Sequence, residues 1–126
     1  MAKKILLVED DAFILKMYQL KMNLEGFEVE TAENGKEALE LAKSQPDIIL
    51  LDMMMPELDG FGVLEELQKD PELKAIPVIV LTNLSQDDHV RKAMDLGAIG
   101  YIVKTEYTPR QVVERVKEVL DKKSAA

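Results

Sequence analysis

The chain has 126 residues, with 24 Asp or Glu against 16 Lys or Arg, so its formal net charge is −8. This length suits one domain with its own core, and the acidity disfavours nonspecific binding to nucleic acid or to anionic membranes. The absence of cysteine excludes disulfides and thiol catalysis, and no apolar run approaches the length of a membrane span.

Five short segments have the composition of β-strands. Four are continuous apolar runs, typical of strands buried on both faces of a parallel sheet: Ile5 to Val8, Ile48 to Leu51, Val78 to Leu81, and Ile99 to Val103. The fifth, from Phe27 to Thr31, alternates apolar and polar residues. That alternation suits an edge strand with one wet face.

A helical pattern follows the first apolar run. The spacing i, i+4, i+7, i+11, typical of the apolar face of a helix, is set by Phe13, Met17, Leu20 and Leu24. Gly26 is expected to end this helix.

Four further helices are predicted after the other strand-like segments. Their apolar positions are Ala38, Leu41 and Ala42; Phe61, Leu64 and Leu67; Val90, Ala93 and Met94; and Val112, Val113, Val116 and Leu120. The expected helix starts are Asn34, Ser85, and Thr108 followed by Pro109 and Gln111.

The order is therefore a strand followed by a helix, repeated five times. This pattern predicts an α/β fold of three layers, helices on both faces of a parallel sheet. Five strands fit the doubly wound order 2-1-3-4-5, which places the alternating segment at an edge. We expect a single domain over residues 1–126, with a core from about 3 to 121 and a short polar tail that frays.

Polar residues follow each buried strand. In sheets of this order, ligands bind outside the carboxyl ends of the strands. The residues expected to meet there are Glu9, Asp10, Asp11, Asp52, Thr82 and Lys104. Neighbouring carboxylates repel unless a cation lies between them, and oxygen ligands of this kind suit Mg²⁺. A carboxylate beside a metal, an ammonium and a hydroxyl is arranged to accept a phosphoryl group.

Four stretches together resemble the receiver domain of bacterial two-component response regulators, the CheY-like family. They are Ile5 to Asp11, Asp52 to Pro56 with Asp59-Gly60, Val80 to Thr82, and Tyr101 to Lys104. The resemblance covers essentially the whole chain, and the four stretches together are highly specific.

The resemblance implies a role for each matching residue. Asp52 would be the phosphoacceptor, and Mg²⁺ (or Mn²⁺) would be held by Glu9, Asp10, Asp52 and the backbone carbonyl of Met54. Phosphoryl oxygens would contact Thr82 and Lys104, while Thr82 and Tyr101 would form the switch that reshapes the face of the fourth helix, fifth strand and fifth helix. Gly26 lies sixteen residues after Asp10, as in the family pattern, which leaves Asp11 as an additional acid.

Two positions depart from the family pattern. Thr105 follows Lys104 where the family usually has proline after a cis peptide, and a non-proline cis bond costs about 2.5–4 kcal/mol. Either strain or a trans peptide is expected there, which puts the placement of Lys104 in question. Asn83 follows Thr82 where the family tends to have a small residue, so we expect slower phosphorylation by small donors than in an Asn83→Ala variant.

The leading hypothesis is a phosphoryl-accepting signalling switch rather than an enzyme. The expected partners are a sensor histidine kinase or histidine phosphotransfer protein and a downstream protein target, with no direct contact to nucleic acid or membrane. A phosphorylation-dependent homodimer stays open. The acidic N-terminal segment argues against a signal peptide, so the expected compartment is the cytoplasm.

Three alternative functions differ from this hypothesis in the residues they require. A haloacid-dehalogenase-type phosphatase needs a second Asp two residues after the nucleophile, where this chain has Met54. A flavin carrier of similar topology would place a phosphate-binding loop after the first strand, where Glu9, Asp10 and Asp11 would repel phosphate. A degenerate receiver used only for protein docking is the remaining alternative.

Overall fold

The computed structural model describes residues 2–125, with side chains described for residues 2–122. Its five strands form one parallel sheet in the order β2-β1-β3-β4-β5. Their bounds are β1 Lys4–Val8, β2 Glu28–Ala32, β3 Ile48–Leu51, β4 Val78–Thr82 and β5 Gly100–Val103. The predicted strand order, with the alternating strand at an edge, is confirmed.

Helices follow all five strands. Their bounds are α1 Ala12–Leu24, α2 Gly35–Ala42, α3 Gly60–Lys69, α4 Asp87–Asp95 and α5 Pro109–Ala125, and a 3₁₀ turn at Lys104–Glu106 links β5 to α5. Among the helices within residues 2–125, none is long and apolar enough to cross a membrane.

The sheet separates two apolar cores. Because successive side chains of a strand point to opposite faces, Leu6 and Val8 of β1 pack on the side of α2, α3 and α4, whereas Ile5 and Leu7 pack on the side of α1 and α5. This is the three-layer arrangement that the sequence pattern predicts, and it leaves the carboxyl ends of the strands free to carry polar residues.

The apolar stripe that located α1 in the sequence is not the face that the helix buries. Phe13 and Leu24 are 81% and 82% exposed, and the buried residues of α1 are Leu15, Tyr18 and Met22. Helix α1 is apolar on two sides, so the spacing predicted its position correctly although the stripe that revealed it faces outward.

The predicted helix ends agree with the structure at most positions. The Asn34 side chain accepts from the Glu37 N–H at 2.9 Å, and Thr108 and Gln111 form the predicted capping box. Gly26 ends α1 at a φ of 94°, a conformation that favours glycine.

Two predicted ends differ. Ser85 does not cap α4. The N-cap residue of this helix is Gln86, whose side chain makes no capping hydrogen bond. The polar tail predicted after Leu120 is part of α5 as far as Ala125, and Ala126 lies outside the described residues.

Candidate functional site

The carboxyl edge of the sheet gathers the polar residues that follow β1, β3, β4 and β5. Glu9 comes directly after β1, Asp52 after β3 and Lys104 after β5, while Thr82 is the last residue of β4. The Asp52 N–H donates to the Val8 carbonyl at 3.1 Å. The parallel pairing of the two central strands therefore brings the acids that follow them side by side.

Lys104 joins the two buried carboxylates of this edge. Its ammonium donates to Oε1 of Glu9 and, at 3.1 Å, to Oδ2 of Asp52. Glu9 and Asp52 are only 3% and 5% exposed. Burial of two acids is tolerated here because a paired cation and hydrogen bonds offset the loss of hydration.

The pKa values of this cluster follow from burial and from charge. Burial raises the pKa of Glu9 to about 7. The hydrogen bond from Lys104 opposes this rise, and the negative charge of Asp52 adds to it. Burial also disfavours the charged form of Lys104, but its hydrogen bonds to Glu9 and Asp52 and the charges of both outweigh this effect and raise its pKa. The charged form of Lys104 is therefore favoured, and it lies beside an acid that ionises more readily as positive charge approaches.

The donor set at this edge fits a hard divalent cation. Carboxylate oxygens of Glu9, Asp10 and Asp52 lie within 4.8 Å of one another, and Asp10 is the exposed member of the three. Few carboxylates with open positions for water are the donors that Mg²⁺ prefers. Asp11 has a different task, because its carboxylate accepts from the N–H groups of Phe13 and Ile14 and so caps α1.

The loop after β3 fixes the orientation of the Asp52 carboxylate. Its Oδ1 accepts from the Met54 N–H at 3.2 Å, which leaves Oδ2 to Lys104. A Cβ on Gly60 would lie 2.5 Å from the Asp52 carbonyl oxygen. Only glycine allows α3 to begin this close to the site.

Thr82 and Tyr101 are linked through the loop after β4. The Thr82 side chain is buried, and its hydroxyl accepts a long hydrogen bond, 3.5 Å, from the Leu84 N–H. The Tyr101 hydroxyl donates to the Leu84 carbonyl at 2.7 Å. The backbone of Leu84 therefore connects the two residues that were predicted to form a switch.

The loop after β5 places Lys104 in the site without a cis peptide. No peptide bond within residues 2–125 is cis, so the Lys104–Thr105 bond is trans and the chain turns through the 3₁₀ segment instead. Lys104, whose placement the residue Thr105 put in question, lies at the carboxyl edge of the sheet and contacts Glu9 and Asp52.

Sequence reasoning missed an apolar groove of about 250 Å³ beside the site. Lys104 forms part of its wall, and the two residues that depart from the family pattern, Asn83 and Thr105, line it. The other lining residues are Ile14, Met17, Tyr18, Tyr107 and Pro109. The apolar stripe of α1 was the signal available in the sequence for this groove. The same spacing is also typical of a helix face packed in the core, so the sequence alone does not show that the stripe is exposed.

Known proteins resemble the chain in sequence and in fold. The family model described as response regulator receiver domain matches residues 5–117. The probable transcriptional regulator ycf27 of Guillardia theta is 38% identical over 98% of this chain and 48% of its own length. The alkaline phosphatase synthesis transcriptional regulatory protein PhoP of Bacillus subtilis is 36% identical over 100% of this chain and 52% of its own length.

One solved structure is similar in sequence and fold to this chain over nearly the whole length of both. The CheY-like response regulator receiver domain protein from Methanospirillum hungatei is 29% identical, with a TM-score of 0.90 over 99% of this chain and 98% of its own. The chain spans about half the length of the curated relatives it matches.

Proposed function

Because the chain belongs to the family of response regulator receiver domains, we propose that it accepts a phosphoryl group on Asp52 as a two-component signalling switch. The observation that carries this proposal is the bridge from Lys104 to Glu9 and Asp52. Residues 1–126 would form one receiver domain with its core from about 3 to 121, acting in the cytoplasm.

The Asp52 carboxylate is the nucleophile. One of its oxygens attacks the phosphorus of a phosphohistidine on a sensor kinase or phosphotransfer protein, the N–P bond breaks, and an acyl phosphate and a free imidazole result. Lys104 and the Thr82 hydroxyl hold the phosphoryl oxygens, on which negative charge collects during transfer. Water later hydrolyses the acyl phosphate to inorganic phosphate and restores the Asp52 carboxylate, so the chain is itself modified and does not turn over a free substrate as an enzyme does.

Glu9, Asp10, Asp52 and the Met54 carbonyl would hold Mg²⁺ or Mn²⁺, which supplies positive charge to the transferring group. Thr82 would move toward the new phosphoryl group and disturb its hydrogen bond with Leu84. Since Tyr101 bonds the same residue, the change reaches the face formed by α4, β5 and α5. This is a shift between two existing conformations, which a downstream protein reads.

The exposed stripe of α1, defined by Phe13, Met17, Leu20 and Leu24, supports a docking surface for the phosphodonor protein. Exposed apolar patches mark interaction sites, and Met17 also lines the groove beside Lys104. A partner that covers the stripe would therefore also reach the groove of which Lys104 forms part of the wall. The output named for the relatives would belong to the half of those proteins that this chain does not match.

Intact mass after incubation with acetyl phosphate and Mg²⁺ tests the proposal. The wild-type chain should gain one phosphoryl group, Asp52→Asn should gain none, and Asp121→Asn, an exposed acid of α5, should behave as wild type. If neither acetyl phosphate, phosphoramidate nor a phosphorylated kinase modifies the chain, the docking-module alternative replaces this proposal.

A further inference from the structure

The start of helix α2 lies directly against the loop that follows Asp52. A Cβ on Gly35, the first residue of α2, would lie 2.1 Å from the carbonyl oxygen of Leu58 and 2.7 Å from its Cβ. The carbonyl oxygen belongs to the backbone, so no side-chain rotation can relieve so short a contact. The backbones of the two segments therefore pack at a distance that only glycine permits.

The backbone conformation of Gly35 does not itself require glycine. Its φ lies outside the left-handed region, which among the glycines of residues 2–125 is occupied by Gly26 and Gly97. Alanine is also the more favourable residue in an α-helix. The physical reason for glycine at this position is therefore the space taken by Leu58, and not the local conformation.

The loop between β3 and α3 is held at its end and tightly folded in its middle. The Gly60 N–H donates to the Met53 carbonyl at 3.1 Å. Within the loop, the Leu58 N–H donates to the Pro56 carbonyl at 2.8 Å across Glu57, whose φ is 69°. This is the bond of a γ-turn, in the form with positive φ that is rare and strained. Such a turn persists only where its surroundings hold it, and Leu58 rests against the start of α2.

The segment that carries Gly35 also contacts the other half of the acidic site. Strand β2 ends at Ala32, whose carbonyl accepts from the Glu9 N–H at 3.0 Å. Three residues later, Gly35 meets the loop in which the Met54 N–H donates to Asp52. This short segment therefore touches the backbone on both sides of the carboxylate cluster.

We infer that Gly35 is a positioning residue, which sets how far the loop after Asp52 lies from Glu9 and so sets the geometry of the cation site. This inference rests on the proposed function, in which the Met54 carbonyl and the carboxylates hold Mg²⁺. A Cβ at position 35 would push Leu58 and its turn away from α2, because the first turn of α2 is held by its capping bond. The Met54 carbonyl would move with the loop, whereas Glu9 would stay in place.

NMR titration of the ¹⁵N-labelled chain with MgCl₂, with no phosphodonor present, tests this inference. Gly35→Ala should bind Mg²⁺ about tenfold more weakly than wild type, the lower end of the range for residues that orient metal ligands. Before metal is added, the amide signal of Met54 should already differ from that of wild type, because its bond to Asp52 is disturbed.

Phosphorylation by acetyl phosphate over a MgCl₂ series gives a second measurement. In Gly35→Ala, the Mg²⁺ concentration that gives half the maximal rate should rise about tenfold. The rate at saturating Mg²⁺ should stay near that of wild type, because the nucleophile and the phosphoryl contacts are still present. A general loss of folded protein would instead lower the rate at every Mg²⁺ concentration.

Three further variants separate positioning from a loss of stability. Gly62→Ala makes the same substitution beside the same residue, but its Cβ would meet Cδ1 of Leu58 at 2.4 Å, the end of a flexible side chain that can turn away. Ala42→Gly weakens the buried far end of α2. Both should keep the wild-type Mg²⁺ affinity. Asn34→Ala removes the capping bond without adding an atom and should weaken Mg²⁺ binding in the same direction as Gly35→Ala, which keeps the inference testable if Gly35→Ala does not fold.

A wild-type Mg²⁺ affinity in folded Gly35→Ala would overturn the inference, since α2 rather than the loop would then have yielded. An equal loss of affinity in Ala42→Gly, or no Mg²⁺ binding by the wild-type chain, would also overturn it. If Gly35→Ala binds Mg²⁺ more weakly than wild type but no phosphodonor modifies either chain, the inference holds and the proposed function fails.

Discussion

The three consecutive acids after β1 occupy three different environments, and their roles differ accordingly. Glu9 is buried against Lys104, Asp10 is exposed beside the carboxylates of Glu9 and Asp52, and Asp11 caps α1. The family spacing assigned the metal-binding pair to Glu9 and Asp10, and the capping bonds give Asp11 a structural reason to be acidic.

Substitution of the neighbouring acids Asp11 and Asp10 should therefore have opposite consequences. Asp11→Ala removes the acceptor for two helix N–H groups and should lower the free energy of unfolding by about 1 kcal/mol. Asp10→Ala should cost little stability but should weaken the stabilisation by Mg²⁺. Urea unfolding with and without Mg²⁺ measures both effects, and a loss of the Mg²⁺ response in Asp11→Ala alone would reverse the assignment.

A surface carboxylate gives a pH-dependent prediction. The hydrogen bond from Lys4 lowers the pKa of Glu30. Partial burial opposes this shift, and a further hydrogen bond from Ser44 adds to it. Since the pKa is lower in the folded chain, Glu30 stabilises the fold above its unfolded value of about 4.5, and this contribution is lost as pH falls through the folded value.

The comparison is between wild type and Glu30→Gln across pH. The wild-type chain should have the higher unfolding midpoint at pH 7, by a small margin typical of surface pairs, and the difference should shrink as pH falls below about 4.5 and through the lower pKa of the folded chain. Glu33→Gln, an exposed acid just past β2, is the matched control. A difference that does not shrink as pH is lowered would show that the substitution acts through packing rather than ionisation.

At the scale of elements, the periodicity of α1 shows where sequence reasoning ends. Strands and helices were found because each needs a repeating apolar pattern to cover the sheet. Helix α1 carries two such patterns, one through Leu15, Tyr18 and Met22 and one through Phe13, Met17, Leu20 and Leu24. Either can face the sheet by spacing alone, so only tertiary packing decides between them.

The loop after β5 sets a similar limit at the site. Strand order predicted that Glu9, Asp52 and Lys104 would meet, because parallel strands end at one edge. The path of the chain through Thr105 depends on the 3₁₀ turn, and no periodic pattern in the sequence predicts that turn. The groove beside Lys104 combines residues of α1, the loop after β4, the 3₁₀ turn and the start of α5. Apart from the apolar stripe of α1, their sequence positions carry no sign of that contact.

The exposed stripe of α1 should tolerate substitution without loss of stability. Phe13→Ser should change the free energy of unfolding by no more than about 0.5 kcal/mol, whereas Leu15→Ala should lower it by about 2–5 kcal/mol. If the stripe is the docking surface proposed above, combining Phe13→Ser with Leu20→Ser should slow transfer from an autophosphorylated kinase about tenfold.

Acetyl phosphate provides the control for this comparison. It needs no protein contact, so the double variant should accept a phosphoryl group from it at the wild-type rate. An equal loss with both donors would place the defect at Asp52 itself, and an unchanged rate with the kinase would remove α1 from the docking surface.

For the whole molecule, the distribution of charge matters more than its total. Four acids and one lysine at the carboxyl edge, Glu9, Asp10, Asp11, Asp52 and Lys104, account for −3 of the chain's −8. The rest of the acidity is spread over the surface, where it opposes binding to nucleic acid. The local excess is partly relieved by Lys104, which leaves the carboxylates able to bind a further cation.

Mg²⁺ should therefore stabilise the folded chain by specific binding as well as by screening. A ligand that binds only the folded state at 100 times its dissociation constant adds about 2.7 kcal/mol, which raises the melting temperature by several degrees in a domain of this size. The measurement is thermal unfolding over a MgCl₂ series, compared with KCl at matched ionic strength because screening alone stabilises an acidic chain. Asp10→Asn should lose most of the Mg²⁺ effect and keep the KCl effect. Equal rises with both salts, or an undiminished Mg²⁺ effect in Asp10→Asn, would contradict a metal site at the end of β1.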